Sequence, residues 1–119
     1  MRRRVLVVDD NLDAAEALAL ALRHLGHEVE FAVTGEAALK VARRMRAQLV
    51  FLDLSLPGMN GYDVAAALRK DFGEGIRIVA VTGMGRSEDQ RRSSQAGCDA
   101  YFVKPLEMEV LESLLAALR

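Results

Sequence analysis

The sequence predicts a doubly wound α/β domain, one parallel sheet with helices on both faces, and three observations point there. Four short apolar runs, Val5–Val8, Leu49–Leu52, Ile78–Val81 and Ala100–Val103, have the continuous Val- and Ile-rich character of parallel strands buried on both faces. The segments between them carry apolar residues at helical spacing. Each run also stops at polar residues: Asp9-Asp10, Asp53, Thr82 and Lys104-Pro105. If the runs are parallel neighbours, these ends share the carboxyl edge of the sheet, where open α/β sheets bind ligands.

The elements follow in order. After the first strand, Asn11 to Leu25 carries Ala14, Ala15, Leu18, Leu22 and Leu25 on one helical face, and Gly26 stops it. His27 to Ala32 alternates, Val29 and Phe31 against Glu28 and Glu30, which predicts a half-exposed edge strand. Thr34 or Gly35 opens a second helix through Ala38, Leu39, Val41 and Ala42, and Asn60 caps a third carrying Val64, Leu68 and Phe72. A last helix is marked by Val110, Leu111, Leu114, Leu115 and Leu118. Strict alternation with right-handed crossovers places helices on both faces of a five-stranded sheet. One helix breaks the pattern: of Glu88 to Ala96, only Ala96 is apolar. Helices are held mainly by a buried apolar stripe, so this one is expected to be weakly anchored, as movable elements are.

Bulk properties narrow the class. The 119 residues, with 51% hydrophobic and 28% charged, suit one globular domain spanning 1–119. A net charge of −1 gives no global field for nucleic acid, and Arg2, Arg3 and Arg4 read as a solvated terminus. The single Cys98 excludes an internal disulfide and suits the reducing cytoplasm. No apolar stretch approaches the roughly 18 residues of a membrane span, and the first run meets two Asp too early for a signal peptide.

The strand ends carry the chemistry. Neighbouring strands lie about 4.8 Å apart, so Asp9 or Asp10 would come close to Asp53, and clustered carboxylates raise one another's pKa. A divalent cation relieves this; Mg²⁺ fits hard oxygen donors and is the usual holder of a phosphoryl group, with Mn²⁺ as the alternative. For Asp10 alone, helix capping is a serious rival reading. Lys104 would lower the repulsion and pair with a phosphoryl oxygen, and the Thr82 hydroxyl could donate to the same oxygen. A carboxylate is a competent nucleophile toward activated phosphorus, giving an aspartyl phosphate.

Four motifs extend this reading: Val-Val-Asp-Asp-Asn at 7–11, Leu-Asp-Leu-Ser-Leu-Pro-Gly-Met-Asn-Gly at 52–61, Val-Thr-Gly at 81–83 and Ala-Gly-Cys-Asp-Ala-Tyr-Phe-Val-Lys-Pro at 96–105. In this order and spacing the chain, roughly from Val5 to Leu118, resembles the receiver domains of two-component response regulators. The resemblance implies a three-layer flavodoxin-like (βα)5 fold with strand order 2-1-3-4-5. It implies that Asp53 is the phosphoacceptor and that Asp9, Asp10, Asp53 and the backbone carbonyl of Ser55 hold Mg²⁺. Thr82 would be the switch hydroxyl, Tyr101 the switch aromatic and Lys104 the phosphate-contacting base, with a cis peptide between Lys104 and Pro105.

The implied mechanism is transfer from the phosphohistidine of a sensor histidine kinase or phosphotransfer protein to Asp53. Thr82 and Lys104 are then drawn inward and Tyr101 turns in. This biases the face made by the Glu88–Ala96 helix, the last strand and the last helix toward a downstream protein. Leu12, Ala14, Ala15 and Leu106 are candidate contacts for the kinase. Gly83, where the family commonly has Ala, and the loop Gly83-Met84-Gly85-Arg86 suggest an open phosphate and a short-lived adduct. Two rival readings remain: a hydrolase of the haloacid dehalogenase type, whose second Asp would fall where Ser55 stands, and a receiver-like binding module not controlled by phosphorylation. An enzyme acting on other substrates, direct nucleic-acid binding and membrane association are not expected.

Overall fold

The computed structural model describes residues 2–56, 58–83 and 87–118, without the side chains of residues 87–89. Its elements alternate as β1 (Arg4–Val8), α1 (Leu12–His24), β2 (Glu28–Ala32), α2 (Gly35–Met45), β3 (Leu49–Asp53), α3 (Gly61–Phe72), β4 (Arg77–Thr82), α4 (Ser87–Gln95), β5 (Ala100–Val103) and α5 (Met108–Ala117). A 3-10 turn, Gly73–Gly75, sits between α3 and β4. The strands form one parallel sheet in the order β2-β1-β3-β4-β5. This is the doubly wound sheet that the sequence predicts, in the three-layer flavodoxin-like strand order that the resemblance implies.

The apolar runs become the core because their side chains alternate to opposite faces. Leu6, Val8, Val50, Leu52 and Ile78 pack with α2 and α3 on one face. Val5, Val7, Phe51, Val79 and Val81 pack with α1 and α5 on the other. The three inner strands are buried almost throughout. β5 departs from the expectation of burial on both faces: three of its residues are half-buried and Val103 is 47% exposed. It has one neighbour in the sheet, and the polar α4 beside it offers little apolar cover.

Helix starts are set by local chemistry. Asn11, Thr34 and Asn60 cap α1, α2 and α3, their side chains accepting from the amides of Ala14, Ala37 and Asp63. The α1 cap is thus Asn11, which removes capping as the explanation of Asp10. Arg3 corrects a second reading. It is 9% exposed, and its guanidinium donates to the Leu118 carbonyl at 2.6 Å, so it satisfies an orphan acceptor at the end of α5 rather than solvating the terminus.

Helix α4 is as apolar-poor as its sequence. Among its described side chains Ser93 alone is buried. Two arginines hold it to α3. The Arg92 guanidinium lies 4.0 Å from the centre of the Tyr62 ring. Beyond its end, Arg69 donates to the Gly97 carbonyl at 3.2 and 2.7 Å.

Gly61 shows how tightly α3 closes on β3. A Cβ there would stand 2.5 Å from the Leu54 Cα and 2.8 Å from the Asp53 carbonyl oxygen, and both of those atoms are backbone. Gly61→Ala is expected to destabilise the fold by about 2 kcal/mol, measured by urea unfolding, because the loop after β3 must move to admit one methyl group.

Candidate functional site

The carboxyl edge gathers the strand-end residues as the parallel register requires. Asp53 ends β3 opposite Val81, and Thr82 ends β4 opposite Val103. The Leu54 amide donates to the Val81 carbonyl at 3.2 Å and the Lys104 amide to the Thr82 carbonyl at 2.7 Å. The loops carrying the chemistry are thus fastened to the central strands.

Asp9, Asp10 and Asp53 present carboxylate oxygens that lie within 4.8 Å of one another, Asp9 and Asp53 buried and Asp10 exposed. Lys104 reaches across them, its ammonium donating to Asp9 Oδ2 at 2.7 Å and Asp53 Oδ2 at 3.1 Å. Backbone amides hold the other oxygens: Asn11 donates to Asp9 Oδ1 at 3.0 Å and Ser55 to Asp53 Oδ1 at 2.9 Å. Each buried carboxylate is therefore aimed by two donors, and Asp10 is left open to water. Ser55 itself is exposed at the rim.

The electrostatics follow from this packing. Burial pushes the Asp53 carboxyl above the usual range, against the Ser55 amide and Lys104, and the Asp9 charge adds to the push. Burial pulls the Lys104 ammonium down, but its hydrogen bonds to Asp9 and Asp53 outweigh that and hold it above the ordinary lysine value. One ammonium balances only one of three carboxylates. The donor set is all hard oxygen on a partly open rim, which fits a divalent cation of the Mg²⁺ or Mn²⁺ kind.

Of the two positions expected to switch, Thr82 is buried and Tyr101 is half-buried. The Tyr101 hydroxyl is fully buried with no hydrogen-bond partner among the described residues, so it does not sit at the surface. The Lys104–Pro105 peptide is cis. Gly83 is exposed, and a Cβ there would meet nothing within 4 Å. The rest of that loop, Met84, Gly85 and Arg86, lies outside the described residues, as do the side chains of Glu88 and Asp89 in α4.

The kinase-contact reading needs one correction. Leu12 is 49% exposed, but Ala15 is fully buried in the core against the sheet and cannot touch a partner. Instead a groove of about 380 Å³ runs from the acidic pocket along α1, lined by Ala14, Ala17, Leu18 and Ala21 and closed by Leu106 and Met108. Ala14, Ala17 and Ala21 recur at helical spacing, so the sequence held the signal for this groove. Leu20 on the same helix lies off the apolar face that the periodicity marks and is 67% exposed. Cys98 is free, and burial raises its thiol to about 11, so no reactive thiolate competes with the carboxylates.

A doubly wound parallel sheet with an acidic carboxyl-edge pocket bridged by a lysine defines a class of α/β domain, and the comparisons narrow it. Residues 5–116 match the family model described as the response regulator receiver domain. The DNA-binding response regulator MtrA of Mycolicibacterium paratuberculosis is 41% identical over 117 residues, covering 98% of this chain and 51% of the relative. The probable transcriptional regulatory protein TcrX of Mycobacterium tuberculosis is 39% identical over 114 residues, 96% of this chain and 48% of the relative. Among solved structures, chemotaxis protein CheY4 of Vibrio cholerae superposes with a TM-score of 0.92 at 27% identity, with full coverage of both chains. The chain belongs to the response regulator receiver domain family of two-component systems. It spans about half the length of the curated relatives it matches. Among the described residues no helix is long and apolar enough to cross a membrane.

Proposed function

We propose that Asp53 is the phosphoacceptor of this receiver domain and that Asp9, Asp10, Asp53 and the Ser55 carbonyl form its Mg²⁺ site. One observation carries the reading. Three strand-end carboxylates lie within 4.8 Å of one another at the carboxyl edge, and a lysine bridges the two buried ones. In the transfer, an Asp53 oxygen attacks the phosphorus of a phosphohistidine. The P–N bond breaks, and its electron pair stays on the imidazole of the donor. A bound Mg²⁺ supplies the charge neutralisation that phosphoryl oxygens need among carboxylates. Lys104 is already within hydrogen-bond reach of the acceptor, so a short movement transfers its ammonium to a phosphoryl oxygen, and Thr82 follows.

The donor is a sensor histidine kinase or phosphotransfer protein, docked over the α1 groove beside the pocket. The downstream partner is a protein meeting the α4-β5-α5 face, where Val103, Met108 and Val110 are exposed. The chain works as one receiver unit in the cytoplasm. It catalyses only its own phosphoryl transfer and dephosphorylation, and DNA contact of the kind named for MtrA lies outside it. Incubation with acetyl phosphate and Mg²⁺ should add one phosphoryl group by intact mass, and EDTA should prevent it. An unchanged mass in both arms would favour the phosphorylation-independent module, and turnover without adduct a hydrolase.

Tyr101 supplies the switch with a stored cost. A buried hydroxyl without a partner is unfavourable, so the inward ring gains if activation brings an acceptor to it. Tyr101→Phe removes that cost, and the unphosphorylated protein is expected to gain about 1 kcal/mol in urea unfolding. A loss of stability would show that the hydroxyl is already satisfied.

A further inference from the structure

The face farthest from the acidic pocket has the opposite chemistry. At the amino edge of the sheet, a shallow cavity of about 610 Å³ is lined by Arg4, Arg43, Arg46, Gln48, Asp71 and Phe72, among others. Three arginines face one aspartate, so the lining is net positive. The acceptors there are largely consumed internally. The Arg4 amide donates to Gln48 Oε1 at 3.0 Å and the Arg4 Nε to the Arg46 carbonyl at 2.9 Å. Asp71 Oδ2 takes the Arg43 Nε at 2.8 Å and its terminal amino group at 2.6 Å.

What remains is mostly donors. Among the described residues the terminal amino groups of Arg4 have no acceptor, and the Gln48 amide, whose oxygen accepts from the Arg4 amide, leaves its NH₂ group on the other side of that contact. Among the described residues, neither Arg4 nor Arg46 has a carboxylate within 4.0 Å. Arg46 also holds a left-handed backbone, φ 54° and ψ 59°, at the end of α2, a position where glycine is the low-cost residue. The Arg46 and Ala47 amides both donate to the Ala42 carbonyl, which closes α2 and leaves the Arg46 side chain on the rim of the donor-rich cavity.

We infer that this cavity is a binding site for a small anion carrying two linked phosphoryl groups, a pyrophosphate or a nucleoside diphosphate. Guanidinium forks match phosphoryl oxygens two at a time, and two unpaired arginines call for a ligand with more than one charge. The half-buried ring of Phe72 gives a nucleoside an apolar edge. The site lies on the opposite edge of the sheet from Asp53, so its occupation is separable from phosphorylation.

Isothermal titration calorimetry in EDTA at low ionic strength tests this with pyrophosphate, ADP and orthophosphate as probes. Pyrophosphate or ADP should bind with Kd below about 1 mM, and orthophosphate at least about tenfold more weakly. Tighter binding of ADP would identify the nucleotide as the ligand, and equal binding the pyrophosphoryl group alone. Arg46→Gly, which suits the left-handed backbone and so keeps the fold, and Arg4→Gln should each weaken binding about tenfold or more. Asp53→Asn should leave it unchanged. Absence of binding up to about 5 mM, equal binding by Arg46→Gly, or loss of binding in Asp53→Asn would overturn the inference.

Discussion

Asp53→Asn is expected to abolish Mg²⁺-dependent labelling by acetyl phosphate while leaving the fold intact. Asn is nearly isosteric with Asp and can still accept from the Ser55 amide, which holds Asp53 Oδ1 at 2.9 Å. It has no anionic oxygen to attack phosphorus. It also removes one of three carboxylates from the cluster, so cation affinity should fall at the same time. Asp9→Asn and Asp10→Asn serve as comparisons: they weaken the cation site but keep the nucleophile, so labelling should slow and recover at high Mg²⁺. Intact mass after labelling reads all three. Full labelling of Asp53→Asn would remove the acceptor assignment.

Arg69→Ala should be a costly change away from the pocket, at about 3 kcal/mol in urea unfolding. The Arg69 guanidinium donates to the Gly73 carbonyl at 2.6 Å, the Ile76 carbonyl at 2.8 Å, the Gly97 carbonyl at 2.7 Å and Asp99 Oδ2 at 2.8 Å. It therefore ties the end of α3 to the turn before β4 and to the loop between α4 and β5. Asp99 Oδ2 in turn accepts from the Ile78 amide at 2.8 Å, so removing the arginine leaves a partly buried carboxylate and several carbonyls short of partners. Side-chain exposures of 22% for Arg69 and 26% for Asp99 allow water to compensate in part, which sets the figure at the low end for a broken buried pair. A Gly97 Cβ would press on Arg69 at 3.2 Å, and Gly97 has a φ of 104°. The loop is thus shaped around the guanidinium. Because the same arginine anchors the end of α4, hydrogen exchange in α4 should rise in the variant. A loss below about 0.5 kcal/mol would show that water replaces the arginine fully.

The site was more legible in the sequence than its supports were. Asp9, Asp10, Asp53, Thr82 and Lys104 could be placed together because each directly follows or ends an apolar run, and the parallel register does the rest. Arg69 gave no such signal. Its partners Gly97 and Asp99 lie 28 and 30 residues away, and no local pattern says which carbonyls a long side chain will meet. Arg3 is a similar case, since its acceptor, Leu118, is 115 residues away. Ala15 and β5 failed differently. Periodicity gives the apolar face of a helix but not which small residues on it stay reachable. Apolar continuity in Ala100–Val103 could not reveal that an edge strand beside a polar helix would stay half-open. The weak anchoring of α4 was visible in composition, whereas the Arg92–Tyr62 contact that partly offsets it depends on how two helices pack.

The phosphoryl group is expected on Asp53 and on no other carboxylate of the cluster. Borohydride reduction after labelling with acetyl phosphate and Mg²⁺ converts an aspartyl phosphate to homoserine, and peptide sequencing by mass spectrometry then locates it. Homoserine is expected at position 53, with Asp9 and Asp10 unchanged. Homoserine at position 9 or 10, or a labelled protein with position 53 intact, would contradict it.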